Sequence, residues 1–253
     1  MAVAPIAERR AAFRALHKSG CFVLPNPWDG GSAVRLAKLG FRAIASTSAG
    51  AAWALGRADG QMTVDEVLNH LQFLVEITPL PVNADFESGF ASNPEGVAAN
   101  VARCIETGVA GLSIEDRLGT GLYSLDEAVR RLRAAREAID RSGEDVVLVG
   151  RCEAFWAGQP DLEMTIARLT AYSQAGADCL YAPGIKDLAS IARLVMALDK
   201  PVNVNLSGTD LSVADLASVG VRRVSVGGAL ARATWVAMEG FSSRLWAEGR
   251  LPA

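Results

Sequence analysis

Asp85 and Glu87 stand two residues apart in the run Pro81-Val82-Asn83-Ala84-Asp85-Phe86-Glu87-Ser88-Gly89-Phe90. On a strand, side chains two apart point the same way, so these carboxylates would repel each other at the end of an apolar segment. A hard divalent cation relieves that repulsion, and Mg²⁺, which takes oxygen ligands, suits the pair best. The alternative is a solvated strand end whose carboxylates cap the following helix. The elements that carry the pair decide between the two.

The chain has 253 residues, long for an average domain and ordinary for an α/β barrel. Half of the residues are hydrophobic, enough for a large core, and the net charge of −3 gives no nucleic-acid surface. The basic cluster Arg130-Arg131-Leu132-Arg133 lies in a helical pattern with acidic neighbours and reads as a solvated face. Cys21, Cys104, Cys152 and Cys179 are scattered without pairing, which argues against a zinc site or a disulfide framework. The segment from Met1 to Leu16 has no apolar stretch of signal-peptide type, and no run is long enough to span a bilayer. The expectation is a cytoplasmic protein with no membrane partner.

The pattern predicts a lead helix from Ile6 to His17 and then eight strand-then-helix units. The strands are Cys21–Pro25, Ala43–Ser46, Pro81–Glu87, Gly111–Glu115, Val146–Arg151, Asp178–Ala182, Val202–Asn205 and Arg223–Val226. The helices between them run from Ser32, Thr63, Pro94, Leu125, Asp161, Asp187, Val213 and Ala229. Thr63 with Glu66 forms a capping box, and Asn93 and Ser124 are N-caps. Helix ends repeat one phrase, as in Glu106-Thr-Gly-Val-Ala-Gly and Gln174-Ala-Gly-Ala-Asp, a glycine cap followed by a sharp entry into the next strand. Apolar strands with short connections predict a (β/α)₈ TIM barrel occupying residues 1–253 as one domain. An open doubly wound sheet is the weaker option, because no Gly-x-Gly-x-x-Gly follows the first strand.

In such a barrel the active site lies at the C-terminal strand ends. Those ends carry Asn26-Pro27-Trp28-Asp29, Ser46 to Gly50, Asp85 with Glu87, Glu115-Asp116, Arg151 with Glu153, Pro183-Gly184, then Asn203, Asn205 and Ser207, and finally Ser225, Gly227 and Gly228. The physical reading is a metal held by Asp85, Glu87 and Glu115, mostly through water, with Asp29, Asp59 and Glu153 in the outer shell. Substrate-binding candidates are Trp28, Thr47, Ser48, Ala49, Asp85, Arg151 and Asn205, with the planar fork of Arg151 suited to a carboxylate. A 2-oxo acid that chelates Mg²⁺ through its carboxylate and keto oxygens matches these parts, and the cation would stabilise an enolate.

Other chemistries fit less well. A Schiff-base aldolase needs a strand lysine, and Lys18, Lys38, Lys186 and Lys200 all lie outside strands. His17 and His70 fall in helices, and Cys152 reads as a small core residue. The serious rival is a phosphate site at Gly227-Gly228 opening the last helix.

At these residues the chain resembles the isocitrate lyase/phosphoenolpyruvate mutase superfamily. The resemblance rests on Asn26-Pro27-Trp28-Asp29, Thr47-Ser48-Ala49-Gly50 with Gly56 and Asp59, Asp85-Phe86-Glu87-Ser88-Gly89, Ser113-Ile114-Glu115-Asp116 and Arg151-Cys152-Glu153-Ala154-Phe155. It implies Mg²⁺, or Mn²⁺, at Asp85, Glu87 and Glu115. It also implies carboxylate binding by Thr47–Ala49 and Arg151, chemistry next to a pyruvate enolate, and a homodimer or homotetramer that swaps the last helix between subunits. The departures are as informative. The loop after the fourth strand is only Arg117-Leu-Gly-Thr-Gly-Leu-Tyr-Ser124, without the cysteine motif of the lyases or the lysine-containing segment of the mutases. Tyr123 in that loop is the catalytic proton-donor candidate beside Arg151, with Tyr181 as another. The reading is an Mg²⁺-dependent lyase of a small 2-oxo or 2-hydroxy acid, by oxaloacetate-type decarboxylation or C–C cleavage. The alternatives are phosphoenolpyruvate mutase or phosphonopyruvate hydrolase chemistry, and a non-catalytic 2-oxo acid binding protein.

Overall fold

The computed structural model describes residues 4–250. In chain order the elements are α1 (Ile6–Leu16), β1 (Phe22–Leu24), α2 (Gly30–Lys38), β2 (Ile44–Ala45), α3 (Ser48–Ala54), α4 (Val64–Ile77), β3 (Val82–Asp85), α5 (Pro94–Glu106), β4 (Gly111–Glu115), β5 (Arg117–Leu118), β6 (Gly121–Leu122), α6 (Leu125–Ser142), β7 (Val147–Arg151), α7 (Leu162–Gln174), β8 (Cys179–Tyr181), α8 (Leu188–Ala197), β9 (Val202–Asn205), α9 (Val213–Ser218), β10 (Arg223–Ser225) and α10 (Ala229–Glu248). Eight strands form one parallel sheet in the order β1-β10-β9-β8-β7-β4-β3-β2. The Ala45 N–H donates to the Pro25 carbonyl at 3.0 Å, joining the two outer strands and closing the ring. The expected (β/α)₈ barrel with its lead helix is therefore the observed fold.

Strand alternation sorts the core into two layers. Ile44, Ala84, Leu112, Ile114, Leu148, Leu180, Val204 and Val224 face the helices in the larger cluster. Phe22, Leu24, Ala45, Val147, Val149, Cys179 and Tyr181 fill the barrel interior with Phe13 of α1. Phe13 is fully buried and plugs the N-terminal end of the barrel. A Cβ at Gly111 would lie 2.7 Å from the Phe13 ring and 2.8 Å from Asn83 Oδ1, so a side chain on β4 there would displace the plug. Arginines hold α1 in place. Arg9 donates to the Val75 and Thr78 carbonyls, and Arg10 to those of Val109 and Ile105 as well as to Glu144.

His17 completes this lower layer. It is buried, its Nδ1 donates to the Phe13 carbonyl at 2.9 Å, and its Nε2 has no partner among the described residues. Burial, and then the charge of Arg223, push its pKa down to about 4. The unfolded imidazole takes a proton near its ordinary value of about 6.5, whereas the folded one stays neutral until about pH 4. Its contribution therefore disappears as pH falls through that window, by about 3 kcal/mol at the lower end. Urea titrations at pH 7 and pH 4.5 should show His17→Leu losing less stability on acidification than wild type. Equal losses would remove His17 from the account.

The structure departs from the sequence reading in four places. The segment after β2 is the helix α3, whose N-cap Thr47 accepts from the Gly50 N–H, where the sequence reading placed no element. The loop after β4 folds as the β5–β6 hairpin. α2 begins at Gly30 because the Asp29 carboxylate accepts from the Ser32 N–H in a capping box. Arg131 is not on a solvated face. It shares the buried stripe of α6 with Ala128, Leu132 and Ala135 and donates to the Ser88 and Ala91 carbonyls. Among the described residues no helix is long and apolar enough to cross a membrane.

Candidate active site

β3 ends at Asp85, earlier than the sequence predicted. Phe86 turns into the outer core, and Glu87 then adopts φ +44°, in the left-handed region that non-glycine residues rarely enter. Phe90 does the same at φ +53°. Each such residue costs on the order of 1 kcal/mol, which the packing of Phe86 against Phe90 and the Arg131 bonds to this loop offset. Asp85 and Glu87 thus reach the rim by a turn and not by strand alternation. The Glu115 N–H donates to the Glu87 carbonyl at 2.9 Å and ties this turn to β4.

Arg151, at the end of β7, is the hub. Its Nη1 lies 3.0 Å from Asp85 Oδ1 and 3.3 Å from Glu115 Oε2, and its Nε donates to Glu153 Oε1 at 2.6 Å. Trp156 and Tyr181 flank the guanidinium with ring centroids at 5.4 and 5.2 Å. Burial works against its charge, but Glu153, Glu115 and Asp85 hold it firmly protonated. Asp85 Oδ2 also accepts from the Ser48 N–H at 3.0 Å, and Ser46 Oγ accepts from the Asp85 N–H at 2.8 Å.

Negative charge exceeds positive here. Burial, followed by the charges of Asp85 and Asp59, raises the Glu87 pKa to about 7. Burial also raises Glu115, against the pull of Arg151, with Glu153 and Asp85 adding to the rise. Asp59 is raised by burial and by Asp85 while it bonds the Ser48 side chain. Among the described residues no three Asp, Glu, His or Cys side chains converge as a ready metal cage. The donor set still fits a hard cation. Asp59, Asp85, Glu87 and Glu115 are under-neutralised oxygen donors, and Mg²⁺ binds through few carboxylates while keeping several waters.

These groups border a cavity of about 80 Å³ lined by eighteen residues. Of the sequence candidates, Thr47, Ser48, Ala49, Asp59, Asp85, Arg151 and Asn205 line it. Glu87, Glu115 and Glu153 stand outside its wall, the last two behind Arg151. Asp29 caps α2 and does not reach the cavity, and Trp28 backs α3, its Cβ 2.9 Å from where a Cβ on Gly50 would sit. Tyr123 is also outside: its ring lies under the Arg131 guanidinium at 4.1 Å, because the hairpin turns away from the mouth. Tyr181 does line the cavity, and its oxygen accepts from Asn205 Nδ2 at 3.3 Å. Sequence reasoning missed Asn83, Ser113, Trp156 and Arg223 as wall residues. The alternation Asn83-Ala-Asp85 and Arg223-Val-Ser225 was the available signal, since it turns the earlier polar residue into the barrel too.

At the glycine turn before α10 two backbone donors are already taken. Asn26 Oδ1 accepts from the Val226 and Gly227 N–H groups at 3.0 and 2.9 Å, and a Cβ on Gly228 would meet the Trp53 ring at 2.8 Å. Cys152 is buried, which pushes its thiol pKa up and leaves it a core residue.

A behind-the-wall network steadies this rim. Asp116 is 2% exposed and accepts from Tyr172 Oη at 2.5 Å, Arg168 Nη1 at 3.0 Å and the Glu153 N–H at 2.8 Å. Its carbonyl accepts from the Tyr123 N–H, and Arg168 Nη2 donates to the Tyr123 carbonyl, so the hairpin base is fixed from both sides.

The whole chain also resembles known proteins. The sequence model of the family described as phosphoenolpyruvate phosphomutase matches residues 13–245. Oxaloacetate decarboxylase of Chromohalobacter salexigens is 34% identical over 86% of this chain and 78% of its own length. 2-Methylisocitrate lyase of Escherichia coli is 32% identical over 78% of this chain and 69% of its own. The structure of oxaloacetate acetylhydrolase in complex with oxalate superimposes with a TM-score of 0.90 at 28% identity, covering 98% of this chain and 90% of that one.

Proposed function

This chain belongs to the phosphoenolpyruvate mutase/isocitrate lyase superfamily, and from that membership we propose that it is an Mg²⁺-dependent lyase that decarboxylates, or cleaves a C–C bond in, a small 2-oxo acid of oxaloacetate type. The observation that carries the reading is the surplus of carboxylates around Arg151 beside a cavity lined by no lysine, histidine or cysteine. Decarboxylation of a 2-oxo diacid asks only for an electron sink at the keto oxygen and a proton for the carbon left behind.

Asp85, Glu87 and Glu115 would hold the cation, largely through water, with Asp59 in the next shell. Mn²⁺ would serve in its place. A cation held there would supply Lewis-acid polarisation of the keto oxygen and stabilisation of the negative charge that bond breaking leaves on it. Arg151 would offer the substrate carboxylate its Nη2, the one guanidinium nitrogen not directed at Asp85, Glu115 or Glu153. Ser48 and Ala49 at the start of α3 border the same end of the cavity. Asn205 donates to the Tyr181 oxygen, so the phenolic proton is free to point into the cavity. Burial raises the Tyr181 pKa and keeps that proton in place, so Tyr181, not Tyr123, is the donor we assign.

The test is a coupled assay. With Mg²⁺, purified protein should release pyruvate from oxaloacetate well above the metal-only background, EDTA should stop it, and Mn²⁺ should restore it. Phosphate release or phosphonopyruvate turnover without pyruvate from oxaloacetate would favour the phosphonate reading. Metal-dependent oxalate binding without turnover of any acid would favour the non-catalytic one.

The same proposal includes a cytoplasmic homodimer or homotetramer. α10 is about 30 Å long and buries only Ala231, while Val236, Met238, Phe241, Leu245 and Trp246 are exposed. Its first turns touch the barrel through Trp235 against Trp53. The remaining apolar face suits packing on another copy. Trp246→Asp with Phe241→Asp should convert the oligomer to monomer in light scattering. A mass unchanged from wild type would remove α10 from the interface.

A further inference from the structure

Below the acidic rim the cavity continues to Arg223. This arginine opens β10 inside the barrel and is 3% exposed. Its Nε donates to Asn203 Oδ1 at 3.0 Å and its Nη1 to Asn83 Oδ1 at 3.2 Å. Asn203 in turn donates to Ser225 Oγ at 3.0 Å. Among the described residues no other group bonds the guanidinium, and no carboxylate lies within ion-pair distance of it. The other buried arginines differ. Arg10, Arg131 and Arg151 each reach a carboxylate, and Arg9 binds two carbonyls. Burying a guanidinium that only neutral amides face is costly unless an anion joins it. The cavity wall beside it, from Asn83, Ser113 and Ser225, offers neutral polar side chains, and the carboxylate of the same lining whose charge reaches Arg223 is Asp85 at the rim.

The depth fits a short diacid. Asn83 lies two residues before Asp85 on β3, about 7 Å down the barrel. A molecule held at the rim by one carboxylate therefore points its other end toward Arg223. We infer that Arg223 forms a second anion subsite at the cavity floor and selects acids carrying a second carboxylate. This rests on the 2-oxo acid reading of the rim. Two asparagines aim the guanidinium from below, which leaves Nη2 for the ligand.

Malate and lactate differ by one carboxylate and are both stable in solution. Calorimetric titration of wild type in Mg²⁺ should give malate an advantage of about tenfold or more, the scale of a charge-assisted pair in a dry site. Arg223→Gln should remove most of that advantage and leave lactate within about twofold, since lactate does not reach the floor. Arg223→Lys, a point charge without the fork, should restore part of it. Equal losses for both acids in Arg223→Gln, or an undiminished malate preference, would overturn the assignment. Where the glutamine variant fails to fold by circular dichroism, the lysine variant decides: a malate advantage equal to wild type overturns, a partial one supports. Magnesium-dependent binding of both acids with equal affinity to wild type would sink the Arg223 subsite and leave the rim reading intact. Binding of neither acid would sink both.

Discussion

Replacing Asp85 with alanine should abolish turnover, by about a thousandfold or more, and weaken Mg²⁺ binding at least about a hundredfold. One Asp85 oxygen anchors Arg151 and the other accepts from the Ser48 N–H, so this carboxylate fixes both sides of the cavity mouth. Its loss also leaves the Arg151 guanidinium leaning wholly on Glu115 and Glu153. The fold should survive, because Asp85 ends its strand at the rim and the core beneath it is untouched. Asp85→Asn separates the roles: it retains an oxygen toward Ser48 but loses the charge, and should be nearly as inactive. Calorimetry with Mg²⁺ checks the binding and thermal melting checks the fold. Unchanged metal affinity in the alanine variant would take the foundation from the proposed chemistry.

Asp116→Ala should be the most damaging single change to stability, costing about 3–5 kcal/mol. It would leave Arg168 and Tyr172 Oη without the oxygen they share and the Glu153 N–H without its acceptor, all in a buried setting. Tyr172 is fully buried and cannot turn to water. Asp116→Asn keeps an acceptor and should recover part of the loss. Because Asp116 also fixes Glu153, and Glu153 holds Arg151, the alanine variant should lower kcat even under conditions where it remains folded. Urea denaturation reads the stability, and a loss below about 1 kcal/mol would mean that water replaces the carboxylate without strain.

The barrel was legible because its signals are local. Gly108, Gly176 and Gly220 do adopt positive φ after their helices, as the repeated phrases implied, and each strand–helix unit announces itself within about thirty residues. Asp85 and Arg151 were legible because a charge at the end of an apolar strand is costly unless a partner or ligand meets it there. What escaped depends on contacts distant in sequence. The ring of Tyr123 is claimed by Arg131, and nothing within the loop itself says so. Asp29, read from the sequence as an outer-shell carboxylate, is instead claimed by its own helix as the cap that accepts from Ser32. Arg223 looked like a strand entry. Only the register that sets it beside Asn203, and the shear that brings Asn83 across the barrel, turn it into part of the cavity. The Glu87 turn was misread because a two-residue spacing was taken for strand, while the strand ends at Asp85, two residues earlier, and Phe86 is fixed in the outer core.

The Phe13 plug has a kinetic meaning. With α1 seated across the lower end and Gly111 leaving room for the ring, the barrel is a blind well and not a tunnel. Reactant and product must use the same door, past Trp156 and the start of α3. On the proposed chemistry, a departing 2-oxo acid would contend with the next arrival for one passage and one set of contacts, so pyruvate should inhibit competitively against the substrate.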